Sequence, residues 1–171
     1  MIQHTHDSSS FEEKKFPIIL LLDDVLSPAN IGSIFRLADA FNVEKIILCG
    51  APVDLDSNRL KRTARATINS VAHEQVEDAL KAVEELSING YTVMALEITS
   101  NSKPIESIDY TQFKKIALIL GNENSGIKEN LLAQAGKSLH INMFGKNSSM
   151  NVAQATGIAL FEITKSLQPV S

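Results

Sequence analysis

The chain has 171 residues, 44% of them hydrophobic and 21% charged, which gives one domain enough apolar material for a sizeable core. No uninterrupted apolar run approaches the ~18 residues of a membrane helix, and the N-terminus lacks the basic start and apolar stretch of a secretory signal. Against 20 Asp and Glu stand 16 Lys and Arg, a net charge of −4 that speaks against nonspecific coating of nucleic acid, which draws on many cation–phosphate contacts. The single cysteine, Cys49, has no partner for an internal disulfide and fits a reducing compartment, the cytoplasm by default.

Residues 1–15 are polar and aperiodic and read as a flexible arm, so the folded domain is expected over 16–171. The apolar run from Ile18 to Leu22, ending at Asp23-Asp24, predicts a strand buried on both faces, as in a parallel sheet. Pro28 and Asn30 announce a helix, with Asn30 able to cap it and Ile31, Ile34, Leu37, Ala38 and Phe41 on one stripe. KIILC, ending at Cys49, reads as a second buried strand. After it comes a basic segment with Arg59, Lys61, Arg62 and Arg65, either a solvated helix face or a phosphate-binding patch. Val76, Leu80, Val83 and Leu86 recur at helical spacing, with Glu77, Asp78, Glu84 and Glu85 facing water and Asn89-Gly90 closing the helix. YTVMAL and KIALIL read as the next strands, followed by a short helix near Leu131 to Ala135 and a strand near His140 to Met143. From Ser149 to Ile163 only Glu162 is charged, and a helix apolar nearly all round is buried on more than one side. In so short a chain a second subunit can cover it, so a homodimer is expected, with Gly157 a place where an arginine would break the contact. The alternation of strands and helices gives an α/β class with a mostly parallel sheet flanked by helices.

Ligands of open parallel sheets bind beyond the carboxyl ends of the strands. Three polar, glycine-bearing segments follow strands here: SPANIGSIFR, GNENSGI and FGKNSSMN. None is a dinucleotide fingerprint or a P-loop, no G-x-S-x-G elbow is present, and the histidines and Cys49 lack metal-ligand spacing, so no metal is expected. Taken singly, each polar residue has a plain structural explanation. Arg36 lies three residues before Asp39 and fits a surface ion pair. Glu123 sits in a tight turn, and Ser149 or Asn151 fits a helix cap.

Order and wording add to this. NIGSIFRLADAF (30–41) resembles the first motif of the TrmH-like (SpoU) family of SPOUT RNA methyltransferases. IALILGNENSGI (116–127) resembles the second motif and INMFGKNSSMNVA (141–153) the third, all in the family's order. The resemblance implies a deep trefoil knot at the C-terminal end, which general topology disfavours. It also implies transfer of a methyl group from S-adenosylmethionine to a ribose 2′-hydroxyl of RNA. By the same resemblance Asn30, Arg36, Glu123, Ser149 and Asn151 form the catalytic set. Leu96, Gly121, Ile141, Met143, Ser149 and Met150 hold the cofactor, with Met150 standing where many relatives have leucine. Arg36 is expected to bind phosphate and hydroxyl and to favour the alkoxide, since a guanidinium is normally always charged.

The expected protein is therefore a homodimeric, S-adenosylmethionine-dependent 2′-O-ribose methyltransferase of structured RNA, with transfer RNA favoured over ribosomal RNA. Arg59, Lys61, Arg62 and Arg65 are its RNA-binding candidates, and no membrane association is expected. The alternatives are a non-catalytic RNA-binding or assembly protein on the same fold and a base methyltransferase of the wider SPOUT group. The five polar residues together argue against the first, and the third motif's Ser149-Met150-Asn151 against the second.

Overall fold

A computed structural model describes residues 12–170. In chain order the elements are β1 (Phe16–Asp23), α1 (Pro28–Ala40), β2 (Val43–Cys49), α2 (Asn58–Ala64), α3 (Thr67–Ser70), β3 (His73–Val76) and α4 (Ala79–Ile88). They continue as β4 (Thr92–Leu96), β5 (Lys103–Pro104), β6 (Ile116–Leu120), α5 (Glu129–Gln134), β7 (Lys137–His140) and α6 (Val152–Thr164). The seven strands form one sheet in the order β3-β2-β1-β6-β4-β7-β5, and every pairing is parallel. All carboxyl ends therefore lie along one edge.

The continuous apolar strands are buried on both faces, as their composition predicts. In β1, Ile18, Leu20 and Leu22 enter one core while Ile19 and Leu21 enter the other. β6 divides likewise, with Ile116, Leu118 and Leu120 on the first side and Ala117 and Ile119 on the second. The first core is closed by α1, α2 and α6 through Ile31, Ile34, Phe35, Leu60, Ala159 and Leu160. The second is closed by α4 and α5 through Val83, Leu86 and Leu131. At the crossing of α1 and α2 a Cβ on Gly32 would lie 2.0 Å from Thr63 Oγ1 and 2.7 Å from the Leu60 carbonyl, so glycine sets how closely the basic helix α2 approaches.

Several boundaries differ from the sequence reading. Ser27, not Asn30, caps α1: the Asn30 amide donates to Ser27 Oγ, which leaves the Asn30 side chain free for another task. Val76 ends the short strand β3 rather than opening a helix. α4 begins at Ala79, with Asp78 as its cap accepting from the Lys81 amide at 3.1 Å. The strand expected near His140 to Met143 runs from Lys137 to His140, and the chain leaves the sheet where its partner strands end. α6 starts at Val152, so Ser149 and Met150 precede it outside any helix or strand. Gly157 faces Leu37 of the same chain, 3.3 Å from a built Cβ, so a charge there would break the α1–α6 contact inside one subunit. Of the expected arm, residues 1–11 lie outside the described residues, while Lys15 pairs antiparallel with Val170.

One buried charge ties the strand ends together. Asp23, 1% exposed, accepts from the Lys128 amide at 3.1 Å and from Lys128 Nζ at 3.0 Å, and the same ammonium meets Asp24. The Lys128 hydrogen bond, then that of the Ala51 amide, holds Asp24 below its ordinary 3.8, and the two carboxylates raise Lys128 above 10.5. A carboxylate with a lower pKa when folded adds stability above the unfolded pKa, and that stability disappears as pH falls through the folded value. Lys128→Met should therefore weaken the fold near neutral pH by about 1–3 kcal/mol, since the Asp23 carboxylate keeps only a backbone partner. Denaturant unfolding from about pH 6 to about pH 3 should show a shallower acid-side loss in the variant. Parallel pH profiles would contradict this reading of the cluster.

Candidate active site

At the carboxyl ends of β4, β6 and β7 the connecting loops surround a cleft of about 1280 Å³. The loop after β6 is tightly built. Asn122 Oδ1 accepts from the Asn124 and Ser125 amides at 2.9 and 3.1 Å, and Asn122 and Gly126 exchange backbone hydrogen bonds. Its Nδ2 donates to the Asp24 carbonyl at 2.7 Å, fastening the turn to the end of β1. A Cβ on Gly121 would come within 2.5 Å of Gly126 and Ile127 backbone atoms, and Gly126, at φ +69°, packs against the Glu97 carboxylate. Only glycines let the loop fold back this tightly.

This turn aims Glu123 at the start of α1. Its Oε1 accepts from the Ser27 amide at 3.0 Å and from Asn30 Nδ2 at 2.9 Å, and its Oε2 from the Leu26 amide at 3.2 Å. Burial pushes the carboxyl's pKa up, but the hydrogen bonds from Asn30 and from backbone amides outweigh it and hold Glu123 below its ordinary range. The positive end of the α1 dipole acts in the same direction. Glu123 therefore remains a carboxylate at neutral pH.

From Asn30 the network continues to the other helix. Asn151 Nδ2 donates to Asn30 Oδ1 at 2.9 Å, while Asn151 Oδ1 caps α6 through the Ala153 and Gln154 amides at 2.9 and 3.2 Å. Each amide is oriented by its partners: α6 amides to Asn151, Asn151 to Asn30, Asn30 to Glu123. Two side-chain hydrogen bonds, spanning 93 and 121 residues of sequence, thus join three segments. Both amide oxygens already accept hydrogen bonds and an amide takes no proton near neutral pH, so Asn30 and Asn151 position groups rather than act as bases.

The cleft is lined by Asn30, Glu123, Ser149 and Asn151 from the expected catalytic set, and by Leu96, Gly121, Ile141, Met143 and Met150 from the expected cofactor set. Arg36 is absent from it. Its side chain is exposed on α1 away from the cleft, and Asp39 accepts from Ser70 Oγ at 2.9 Å rather than pairing with Arg36. The basic segment divides. Arg59, Lys61 and Arg62 lie on a helix, α2, with Arg65 just past its end, but only Arg59 reaches the cleft; Lys61 pairs with Asp56 at 2.7 Å, and Arg62 and Arg65 are exposed elsewhere.

Sequence reasoning missed Glu97, which follows β4, lines the cleft and accepts from the Ile127 amide at 3.2 Å and the Ile98 amide at 3.0 Å. An acid directly after a buried strand was the available clue. The walls fit S-adenosylmethionine: aliphatic side chains of Leu96, Ile127, Leu139 and Ile141 can flank a flat base, and Glu97 offers a carboxylate to hydroxyl groups. Cys49 is buried, and burial raises its thiol to about 12, so it takes no part as a thiolate. No helix of the described residues is long and apolar enough to cross a membrane.

Comparison with known proteins places this architecture. The chain is 31% identical over 158 residues, 92% of its length and 68% of the relative's, to an uncharacterized tRNA/rRNA methyltransferase of Borreliella burgdorferi. It is 29% identical over 88% of its length and 70% of the relative's to a tRNA (guanosine(18)-2′-O)-methyltransferase of Aquifex aeolicus. The AdoMet-bound structure of an rRNA methyltransferase from Sinorhizobium meliloti superposes with a TM-score of 0.82 at 30% identity, over 92% of this chain and 59% of that one. The chain spans 57% to 70% of the length of such curated relatives. The model of the SpoU rRNA Methylase family matches residues 17–161, and the chain belongs to that family.

Proposed function

We propose that this chain methylates the ribose 2′-hydroxyl of a structured RNA, transfer RNA before ribosomal RNA, in the cytoplasm and as a homodimer. The observation that carries the reading is the Asn151–Asn30–Glu123 chain at the mouth of a cleft lined by the residues of all three motifs. S-adenosylmethionine, bound there, supplies an electrophilic methyl group. The protein must then orient a hydroxyl and favour loss of its proton. Glu123, ionised and anchored, holds Asn30 in place, and Asn30 with Ser149 faces the space where a ribose would enter. Relatives named for both transfer RNA and ribosomal RNA leave the RNA itself to experiment.

Arg36 completes this site in our reading from a second copy of the chain. Its exposed position on α1, outside the cleft of its own subunit, supports supply across an interface. α6, packed on α1, also carries an outward row of Gln154, Ile158 and Phe161, continued by Lys165 just past its end, with Ile158 40% and Phe161 60% exposed. Two large apolar side chains in mid-helix fit a two-fold contact. The knotted ending is part of the same reading. In its support, β7 inserts between β4 and β5, and the following segment then crosses the cleft to reach α6 on α1. We read residues 16–171 as one methyltransferase domain preceded by an arm.

Chemistry and RNA capture should separate on mutation. Arg36→Ala should lower single-turnover methyl transfer at saturating RNA by roughly two to four orders of magnitude, with cofactor affinity little changed by calorimetry. Replacing Arg62 and Arg65 together by alanine should instead weaken RNA binding and flatten its salt dependence while the saturated rate holds. Near-normal turnover in Arg36→Ala, or a lost chemical step in the double variant, would overturn these roles.

Phe161→Arg tests the assembly without touching the α1–α6 crossing. The parent should sediment at micromolar concentration with about twice the chain mass, and the variant as a folded, inactive monomer, because an unpaired charge is costly to bury in an interface. An active monomer, of either protein, would refute supply of Arg36 by a partner.

A further inference from the structure

The segment between β7 and α6 displays a phenyl ring to solvent. Phe144 is 97% exposed, the most exposed of the large hydrophobic side chains among the described residues. It does not sit on an idle loop. Met143 before it and Ser148 to Asn151 after it line the cleft. The segment is fastened at both ends, by Asn142 Nδ2 donating to Glu106 Oε1 at 2.6 Å and by the Asn151 cap on α6. Leu26 and Ile98 also line the cleft and are 55% and 54% exposed, so its mouth has an apolar rim.

Charge points to the occupant. Between Asn142 and Asn151 the only charged residue is Lys146, exposed two positions from the ring, and Arg59 adds a second cation on the cleft wall. An exposed aromatic with a nearby cation and no acid on its own segment suits a nucleotide: the base stacks on the ring and a phosphate meets the ammonium.

We propose that Phe144 is a stacking platform for a nucleobase of the RNA at or beside the methylated nucleotide, with Lys146 on an adjoining phosphate, an inference that rests on the RNA-methylating reading above. Its place at the cleft mouth would then hold a base while the attached ribose reaches Asn30 and Ser149.

The chain contains no tryptophan, so Phe144→Trp introduces a single fluorescent indole at the site. Titration with an unmodified transfer RNA transcript and with an unmodified ribosomal RNA fragment should quench its emission with at least one of them. Phe144→Ala should bind that RNA roughly 5- to 100-fold more weakly, the range of one lost base–aromatic stack, while Phe144→Trp retains affinity and all forms bind S-adenosylmethionine alike. An indole indifferent to both RNAs, or Phe144→Ala binding as tightly as the parent, would overturn the proposal. So would a blue-shifted emission that grows with protein concentration without RNA, which assigns the ring to a second copy. Methyl transfer by the parent is measured on the same preparations. Transfer without quenching removes the stacking platform alone, and quenching without transfer removes the enzymatic reading alone.

Discussion

The hydrogen bond between Asn151 Nδ2 and Asn30 Oδ1 is the joint on which the site depends. It couples the N-terminus of α6 to that of α1, and through Asn30 to Glu123 on the turn after β6. Remove either amide and α6 loses its side-chain link to the other two segments, while the Leu26 and Ser27 amides still hold Glu123 at the start of α1. The arrangement also uses two helix N-termini at once: α6 amides are satisfied by Asn151, while the start of α1 receives the Glu123 carboxylate. Helix capping and site assembly are here one set of bonds.

A second layer of polar contacts supports the first. Asn122 fastens the Glu123 turn to the Asp24 carbonyl, and Lys128 ties the end of that same turn to Asp23 and Asp24. Parallel strands deliver their carboxyl ends to one edge but leave the loops there underdetermined. The buried Asp23 carboxylate, with its backbone and ammonium partners, removes much of that freedom. Glu97 does the same from the β4 side by accepting the Ile127 amide. Polar contacts thus fix the loops at the rim of the cleft, while Leu120, Ile127 and Leu139 of the packed core line it.

The long apolar strands and the motif segments were legible in the sequence, because double-sided burial and glycine-rich turns leave marks in composition. β3 was not, since an edge strand reading HEQV has no apolar run, and its Val76 falls in helical register with Leu80 by coincidence. β5, two residues long, leaves no pattern at all. Asn151 was readable as a cap, and it is one; Asn30 was read as a cap and is released by Ser27 to bond Glu123. The gap between Arg36 and the cleft could not be read, because which way a side chain faces on α1 relative to the sheet edge is a tertiary property. The basic segment likewise looked uniform in sequence, yet only Arg59 turns toward the cleft.

The central claim is that this cleft directs a methyl group to a ribose oxygen. The direct measurement is nucleoside mass spectrometry of unmodified transfer and ribosomal RNA transcripts incubated with the purified chain and S-adenosylmethionine carrying a deuterated methyl. The account predicts the label on the ribose of one nucleoside. A label on a base, or folded and cofactor-binding protein that labels neither RNA, would contradict it.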